Sequence, residues 1–293
     1  MSRVPHLYAV ESVGMATTIT PPAAWRDLLA DFDAELRAAG RPRSTRDMRS
    51  YQLRRFAADH HTIPPNEITR EHLVAWLGGR AWAPETRRAY RAALTTLFRW
   101  AHATGRHDND PAATLPTITV PRALPRPAPD SALMDGLAGA DTRQRLAIEV
   151  IASTGLRRAE CATLHPSQLI RDSDGHALRI VGKGGHARII PVPDHLAVTI
   201  RQAPDYVFPG QIDGHISPHY LGKLISQALP GKWTAHTLRH RYATRVYRAT
   251  NDLRAVQELL GHASIQTTAR YIGVTEDRLR DAARTAWDLP NAA

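Results

Sequence analysis

The sequence predicts a mainly α-helical fold with a small antiparallel β-sheet in its C-terminal domain, an α+β class, arranged as two domains. Three observations carry that expectation. Apolar residues recur at helical spacing through most of residues 23–105 and again from Ser217 onward. Between about 168 and 193 short apolar runs separated by glycine-bearing turns replace that period. Residues 116–129 hold Pro116, Pro121, Pro125, Pro127 and Pro129 with no apolar period at all.

The N-terminal helices follow one another with readable stops. Trp25, Leu28, Leu29, Phe32 and Leu36 recur at helical spacing up to Gly40. Ser44 is placed to cap a second helix on which Met48, Tyr51 and Phe56 share a side. A shorter helix runs from about Arg70 to Leu77, before Gly78-Gly79. The fourth starts at Pro84, turns Tyr90, Leu94, Leu97 and Phe98 inward, and stops at Gly105. Their polar faces carry Arg46, Arg49, Arg87 and Arg91, and the last two, one turn apart, suit neighbouring phosphates. A solvated arginine face accounts for each of them equally well. Residues 1–20 read as a flexible extension, 21–115 as the helical domain, 116–129 as the linker and 130–293 as the second domain.

In that second domain residues 131–164 are expected to be helical. Leu169 and Ile170, then Leu178, Ile180 and Val181, then Ile189, Ile190 and Val192 predict a three-stranded antiparallel sheet. Asp174-Gly175 and Gly184-Gly185 mark its two turns. Helices are expected at about 217–229, 236–248, 252–260, 264–271 and 275–287.

Composition narrows the function. A net charge of +10 points to a polyanion, with nucleic acid the default, although only Lys183, Lys223 and Lys232 are lysines among 38 basic residues and the bias is towards arginine throughout. The single cysteine, Cys161, excludes a disulfide framework or a multi-cysteine zinc site and suits a core thiol. No apolar run approaches a membrane span. A cytoplasmic protein is expected.

Breaking a DNA phosphodiester without metal or water needs a side-chain nucleophile, and tyrosine serves because its phenolate also leaves readily in the reverse step. Arginine forks suit the charge that gathers on the non-bridging oxygens, and lysine or histidine can protonate the departing oxygen. The second domain holds such a set. Arg157 stands in Thr154-Gly155-Leu156-Arg157-Arg158-Ala159-Glu160, after a helix that Gly155 stops. His236 and Arg239 open a helix one turn apart, on one side. His262 follows Gly261, a C-cap glycine, and Tyr271 ends Thr267-Thr268-Ala269-Arg270-Tyr271. Lys183 sits in the turn between the second and third strands. Taken singly each has an ordinary structural explanation: His176 with Arg179 repeats the His-x-x-Arg spacing, and a lone tyrosine is more often packed than reactive.

Together, the segments AHTLRHRYAT, ELLGH and TTARY resemble the C-terminal boxes of the tyrosine recombinase, or phage integrase, family. TGLRRAE resembles its first arginine box and VGKGGHARIIPV its lysine-bearing β-hairpin, so the likeness covers about residues 125–285. It implies an integrase-type catalytic domain after a helical core-binding domain. Arg157 and Arg239 would clamp the scissile phosphate, with Lys183 as general acid and Tyr271 as nucleophile. His236 would assist proton movement around Tyr271, His262 would bond the phosphate, and Glu160 would support the site by fixing an active-site side chain. His240 matches a family position with a structural role. Ile272-Gly273-Val274 departs from the usual continuation, which bears on how the C-terminal segment packs. The resemblance further implies double-stranded recombination sites as partner, a protein that is monomeric when free and a homotetramer on two duplexes, with an accessory or partner recombinase in some members. The helix at 275–287 either packs on a neighbouring subunit or folds back on its own domain. No cofactor and no metal are implied. The enzyme would be bacterial and nucleoid-associated, or phage-encoded and acting in the host cytoplasm.

Other readings stand beside this one. His236 and His240, at i and i+4, have metal-ligand spacing, but Thr237 stands where a zinc protease carries its glutamate. A full set of catalytic residue types argues against a DNA-binding protein without catalysis, whereas a topoisomerase shares the tyrosine step. Among recombinases, integrase, plasmid resolvase and Xer-type dimer resolvase share these residues, and a minimal two-domain integrase or a Xer-like enzyme suits a chain of this length.

Overall fold

The computed structural model describes residues 19–121, 126–182 and 185–261. Within them the fold is mainly helical with one three-stranded antiparallel sheet. The expected extension at 1–20 lies almost entirely outside the described residues, as do Lys183, His262, Tyr271 and the helices expected at 264–271 and 275–287. Chain contacts divide the protein into two units that part between residues 122 and 123.

The first unit is built from α1 (Arg26–Ala38), α2 (Arg43–Asp59), α3 (Arg70–Gly78) and α4 (Pro84–Ala103). Trp25, Phe32, Phe56, Leu73, Leu97 and Phe98 form its core, and Trp25, Trp76 and Phe98 each set a ring edge against Phe56. Pro84 opens α4 at its first position, where a missing N–H costs nothing. Two expectations for α2 are corrected. The amides of Thr45 and Arg46 bond back to the Pro42 carbonyl, so the helix begins at Arg43 and Ser44 lies inside its first turn rather than capping it. The buried stripe is Gln52, Leu53, Phe56 and Ala57, which turns Met48 and Tyr51 out to solvent, away from Phe56.

The second unit packs α5 (Asp130–Gly139), α6 (Thr142–Thr154), α7 (Arg158–Ala162), α9 (Pro218–Ala228), α10 (Ala235–Thr250) and α11 (Leu253–Leu260) with the sheet. β1 (Leu169–Asp172), β2 (Gly175–Val181) and β3 (Ala187–Val192) pair in sequence order, with Leu178 opposite both Leu169 and Ile190. That register buries Leu178, Ile180, Ile190 and Val192 on the face shared with Ile148, Ile151, Leu156 and Phe208. The first turn is Ser173-Asp174, because Gly175 already pairs with Asp172. Sequence reasoning left 194–216 without structure; that stretch forms α8 (Asp194–Arg201), which packs on β1 and β2, and the short strand β4 (Pro209–Ile212). Cys161 is a free, fully buried thiol, and burial pushes its pKa up.

Candidate active site

α6 ends at Gly155, whose left-handed backbone (φ 63°) turns the chain so that Leu156 enters the core and Arg157 emerges at the start of α7. Glu160 then reaches back, and its Oε2 accepts the Arg157 backbone N–H at 2.7 Å while Oε1 accepts Arg157 Nη1 at 2.9 Å. A helix-start motif thus aims the arginine fork.

α10 begins after Thr234, whose N–H bonds Thr237 Oγ1 at 2.8 Å. One turn in, Arg239 is almost fully buried; its Nη2 donates to the Leu260 carbonyl at 2.7 Å and its Nη1 to the Gly155 carbonyl. Arg157 Nη2 donates to the next carbonyl of α11's end, Gly261 O, at 2.9 Å. Gly261, at φ 61°, caps α11 and leaves these carbonyls to accept from side chains. Cations at the negative end of a helix are favourably placed. The ends of three elements therefore meet at the residue that precedes His262.

A third arginine joins them. Arg188, on β3, donates through Nε to Leu259 O at 3.0 Å and through Nη1 and Nη2 to Glu160 Oε1 and Oε2 at 3.0 and 2.6 Å. Its side chain is 7% exposed. Burial alone would push the Glu160 carboxyl up, but the bonds from Arg188 and from the Arg157 amide outweigh it and hold the pKa down at about 2. Sequence reasoning missed Arg188, although a signal was present. Ile190 and Val192 face inward on β3, and alternation puts residue 188 on the same face.

Arg157, His236 and Arg239 line one cavity of about 780 Å³ together with Arg158, His219 and Lys223. His236 Nε2 lies 2.9 Å from His240 Nε2, so one of these nitrogens donates and the other accepts. Burial, then the charge of Arg239, lowers the His236 pKa; burial, then His236 and Arg239, lowers that of His240 to about 4. Both rings are neutral at pH 7, and His236 can accept a proton. Among the described residues, no group of three or more His, Cys, Asp and Glu is arranged to hold a metal ion.

Of the six sequence-predicted catalytic positions, the structure thus gathers Arg157, His236 and Arg239, with Glu160 bonded to the first. Lys183, His262 and Tyr271 lie outside the described residues. Gly182 and Gly261, which precede Lys183 and His262, are described. A Cβ on Gly182, one residue before Lys183, would stand 3.9 Å from Arg157 Nη1 and 3.6 Å from Arg188 Nη1.

The arginines singled out in the first unit are half-buried and bonded within it. Arg46 pairs with Asp33 at 3.1 Å, and Arg49 Nη1 reaches the Ala89 carbonyl at 3.4 Å. Arg87 and Arg91 donate to the carbonyls of Arg80 and Leu115 at 2.9 and 2.8 Å. No helix among the described residues is long and apolar enough to cross a membrane.

Comparison with known proteins gives a consistent set of likenesses. The sequence profile described as the Phage integrase family matches residues 131–278. The chain is 32% identical to Tyrosine recombinase XerC of Rhodospirillum centenum, over 83% of this chain and 82% of that one. It is 30% identical to Tyrosine recombinase XerD of Caulobacter vibrioides, over 91% and 97%. Among solved structures, it superposes on the XerH site-specific recombinase bound to palindromic difH substrate, a post-cleavage complex, with a TM-score of 0.65. That match has 22% identity and covers 89% of this chain and 84% of that one. A lambda integrase dimer bound to a COC′ core site matches at 0.66 and 19% identity, covering 84% and 76%. At such identities these two bear on the fold.

Proposed function

We propose a mechanism on one premise: the chain belongs to the phage integrase family and is a tyrosine-type site-specific DNA recombinase. Tyr271 Oη attacks the scissile phosphorus, the bond to the 5′ oxygen breaks, and the DNA is left joined to Tyr271 through a 3′-phosphotyrosine. Lys183 gives the departing 5′ oxygen its proton, and neutral His236 takes one from the tyrosine side. Arg157 and Arg239 meet the charge on the non-bridging oxygens, and His262 adds a hydrogen bond. A 5′ hydroxyl from a partner duplex then reverses the step. Bond energy is conserved, so no cofactor is required.

The observation that carries this reading is that Arg157, Arg239 and His236 line one cavity while Arg157 and Arg239 are bonded to the carbonyls preceding His262. The partner is a double-stranded recombination site. XerC and XerD relatives that match most of the chain support a Xer-like role, in which four protomers, of one or two kinds, join two duplexes in the cytoplasm. The helix expected at 275–287 serves as the subunit contact, so ending the chain after Val274 should keep binding and abolish synapsis.

The test is a nicked suicide duplex carrying sites recovered by selecting random DNA on the purified protein. Wild type should form a covalent protein–DNA adduct and Tyr271→Phe none, in excess chelator as without it. An adduct that survives Tyr271→Phe overturns the assignment of the nucleophile. Relaxation of supercoils without joining of two duplexes overturns recombination in favour of a topoisomerase.

A further inference from the structure

Arg188 lies outside the six-residue set, yet it bonds both oxygens of Glu160 through its guanidinium. Among the described residues, four donors from two residues reach that carboxylate. Arg157 supplies its backbone N–H and Nη1; Arg188 supplies Nη1 and Nη2. A carboxylate with spare lone pairs beside an arginine draws it into a two-pronged pair. Were Arg188 absent, Glu160 would pull the Arg157 fork onto itself, and the charge meant for a phosphate would be neutralised. Arg188 also bonds Leu259 O, next to the carbonyls held by Arg239 and Arg157. It stands on the strand that follows the Lys183 turn, and its Nη1 lies beside Gly182.

We propose that Arg188 is a positioning residue for DNA cleavage: by occupying both oxygens of Glu160 and the Leu259 carbonyl, it keeps the Arg157 fork turned to the scissile phosphate. This rests on the tyrosine recombinase mechanism given above. The role differs from simple core support in one respect. The harm done by losing Arg188 comes from an uncompensated Glu160, so removing the Glu160 charge as well should repair part of it.

The experiment measures single-turnover cleavage of the suicide duplex at saturating protein, DNA affinity by gel shift, and the pH–rate profile. The proteins are the full-length wild type, Tyr271→Phe, Arg188→Met, Arg188→Lys and the double variant Arg188→Met/Glu160→Gln. Arg188→Met is expected to cleave about 10²-fold more slowly, the scale of a misplaced catalytic group. Its affinity should stay within about threefold, since no phosphate contact is removed. Its defect relative to wild type should shrink with acid above pH 4, where wild-type Glu160 stays ionised, because the carboxyl has lost the Arg188 bonds that help keep it near 2 and its protonation removes the charge that draws Arg157. The double variant should cleave faster than Arg188→Met. Arg188→Lys keeps the charge without the fork and should lose about tenfold; it decides the matter if Arg188→Met does not fold. Arg188→Met or Arg188→Lys cleaving within about twofold of wild type, or a double variant no faster than Arg188→Met, overturns the proposal while the mechanism stands. A wild type that forms no adduct, or a Tyr271→Phe that does, overturns both.

Discussion

Arg157 and Arg239 are bonded to adjacent carbonyls of one helix end, Gly261 O at 2.9 Å and Leu260 O at 2.7 Å. Arg157 precedes α7 as its N-cap and Arg239 lies in α10, and the end of α11 sets their spacing. A planar fork holds such a carbonyl with one Nη and aims its other N–H groups in a fixed direction, whereas the rotatable ammonium of lysine fixes no such geometry and is a poor substitute at either place.

Arg157→Lys and Arg239→Lys should therefore each cut the rate of adduct formation by about 10²–10³-fold, the usual cost of losing one preorganised donor at a developing oxyanion. Affinity for the intact site, measured by gel shift, should change by less than about tenfold. A lysine variant that cleaves at the wild-type rate would show that charge alone, without the fork, is what the phosphate needs.

Lys183→Ala should slow cleavage by orders of magnitude with binding retained, since the proposed general acid is gone. The defect should largely vanish on a duplex whose scissile 5′ bridging oxygen is replaced by sulfur, because a thiolate departs without a proton. If the sulfur substrate is cleaved as slowly as the oxygen one, Lys183 does something other than protonate the leaving group.

Gly155 is required twice over. Its φ of 63° is strained for any residue with a Cβ, and a Cβ there would collide with the Tyr242 ring and stand 3.1 Å from Leu260 Cδ2. Gly155→Ala should destabilise the protein by about 2–5 kcal/mol, combining left-handed strain with overpacking. Because the Gly155 carbonyl also accepts from Arg239, cleavage should fall along with the denaturant midpoint. Cleavage that stays at the wild-type rate under native conditions would uncouple the turn from the site.

Much of this was legible because it is local. Gly155 and Gly261 end periodic helices, where a left-handed cap is the cheapest stop, and both are left-handed caps in the structure. The three short strands followed from apolar runs separated by glycine-bearing turns, although the first turn falls one residue before Asp174-Gly175. What was not legible depends on packing across the chain. Asp194–Arg201 is a helix of eight residues between Pro193 and a loop, too short for its period to stand out. Met48 and Tyr51 share a helical spacing with Phe56, yet the neighbouring Leu53 and Ala57 define the buried stripe. Arg188 sits in a chain rich in arginine, and its worth appears only where Glu160 and Leu259 O come to meet it.

In the first unit, Arg87 and Arg91 each tie one Nη to a backbone carbonyl, which holds the guanidinium in a fixed pose. We propose both as backbone contacts. The double variant Arg87→Ala/Arg91→Ala should reduce the slope of log affinity against log salt by about 2, roughly one per phosphate contact. An unchanged slope with lowered thermal stability would leave these arginines a purely internal role.

Acid should act on the fold in two separate windows. His240 titrates at about 4 in the folded protein against 6.5 as its ordinary value, so the unfolded chain binds more protons between those limits. Stability should therefore be fully present above about pH 6.5 and decline as the pH falls toward 4, with the lowered pKa of His236 acting in the same direction. Glu160 works lower. Its carboxyl is held at about 2 against 4.5, so its contribution, on the order of 3 kcal/mol, is complete above pH 4.5 and is lost only as the pH approaches 2. Urea melts taken every half unit from pH 8 to 2.5 should show both declines. His240→Gln should flatten the upper one alone, and Glu160→Gln should flatten the lower one after an overall drop in stability. If the upper decline persists unchanged in His240→Gln, the ring is not held neutral by its surroundings, and the proton acceptor assigned to His236 beside it would need to be sought elsewhere.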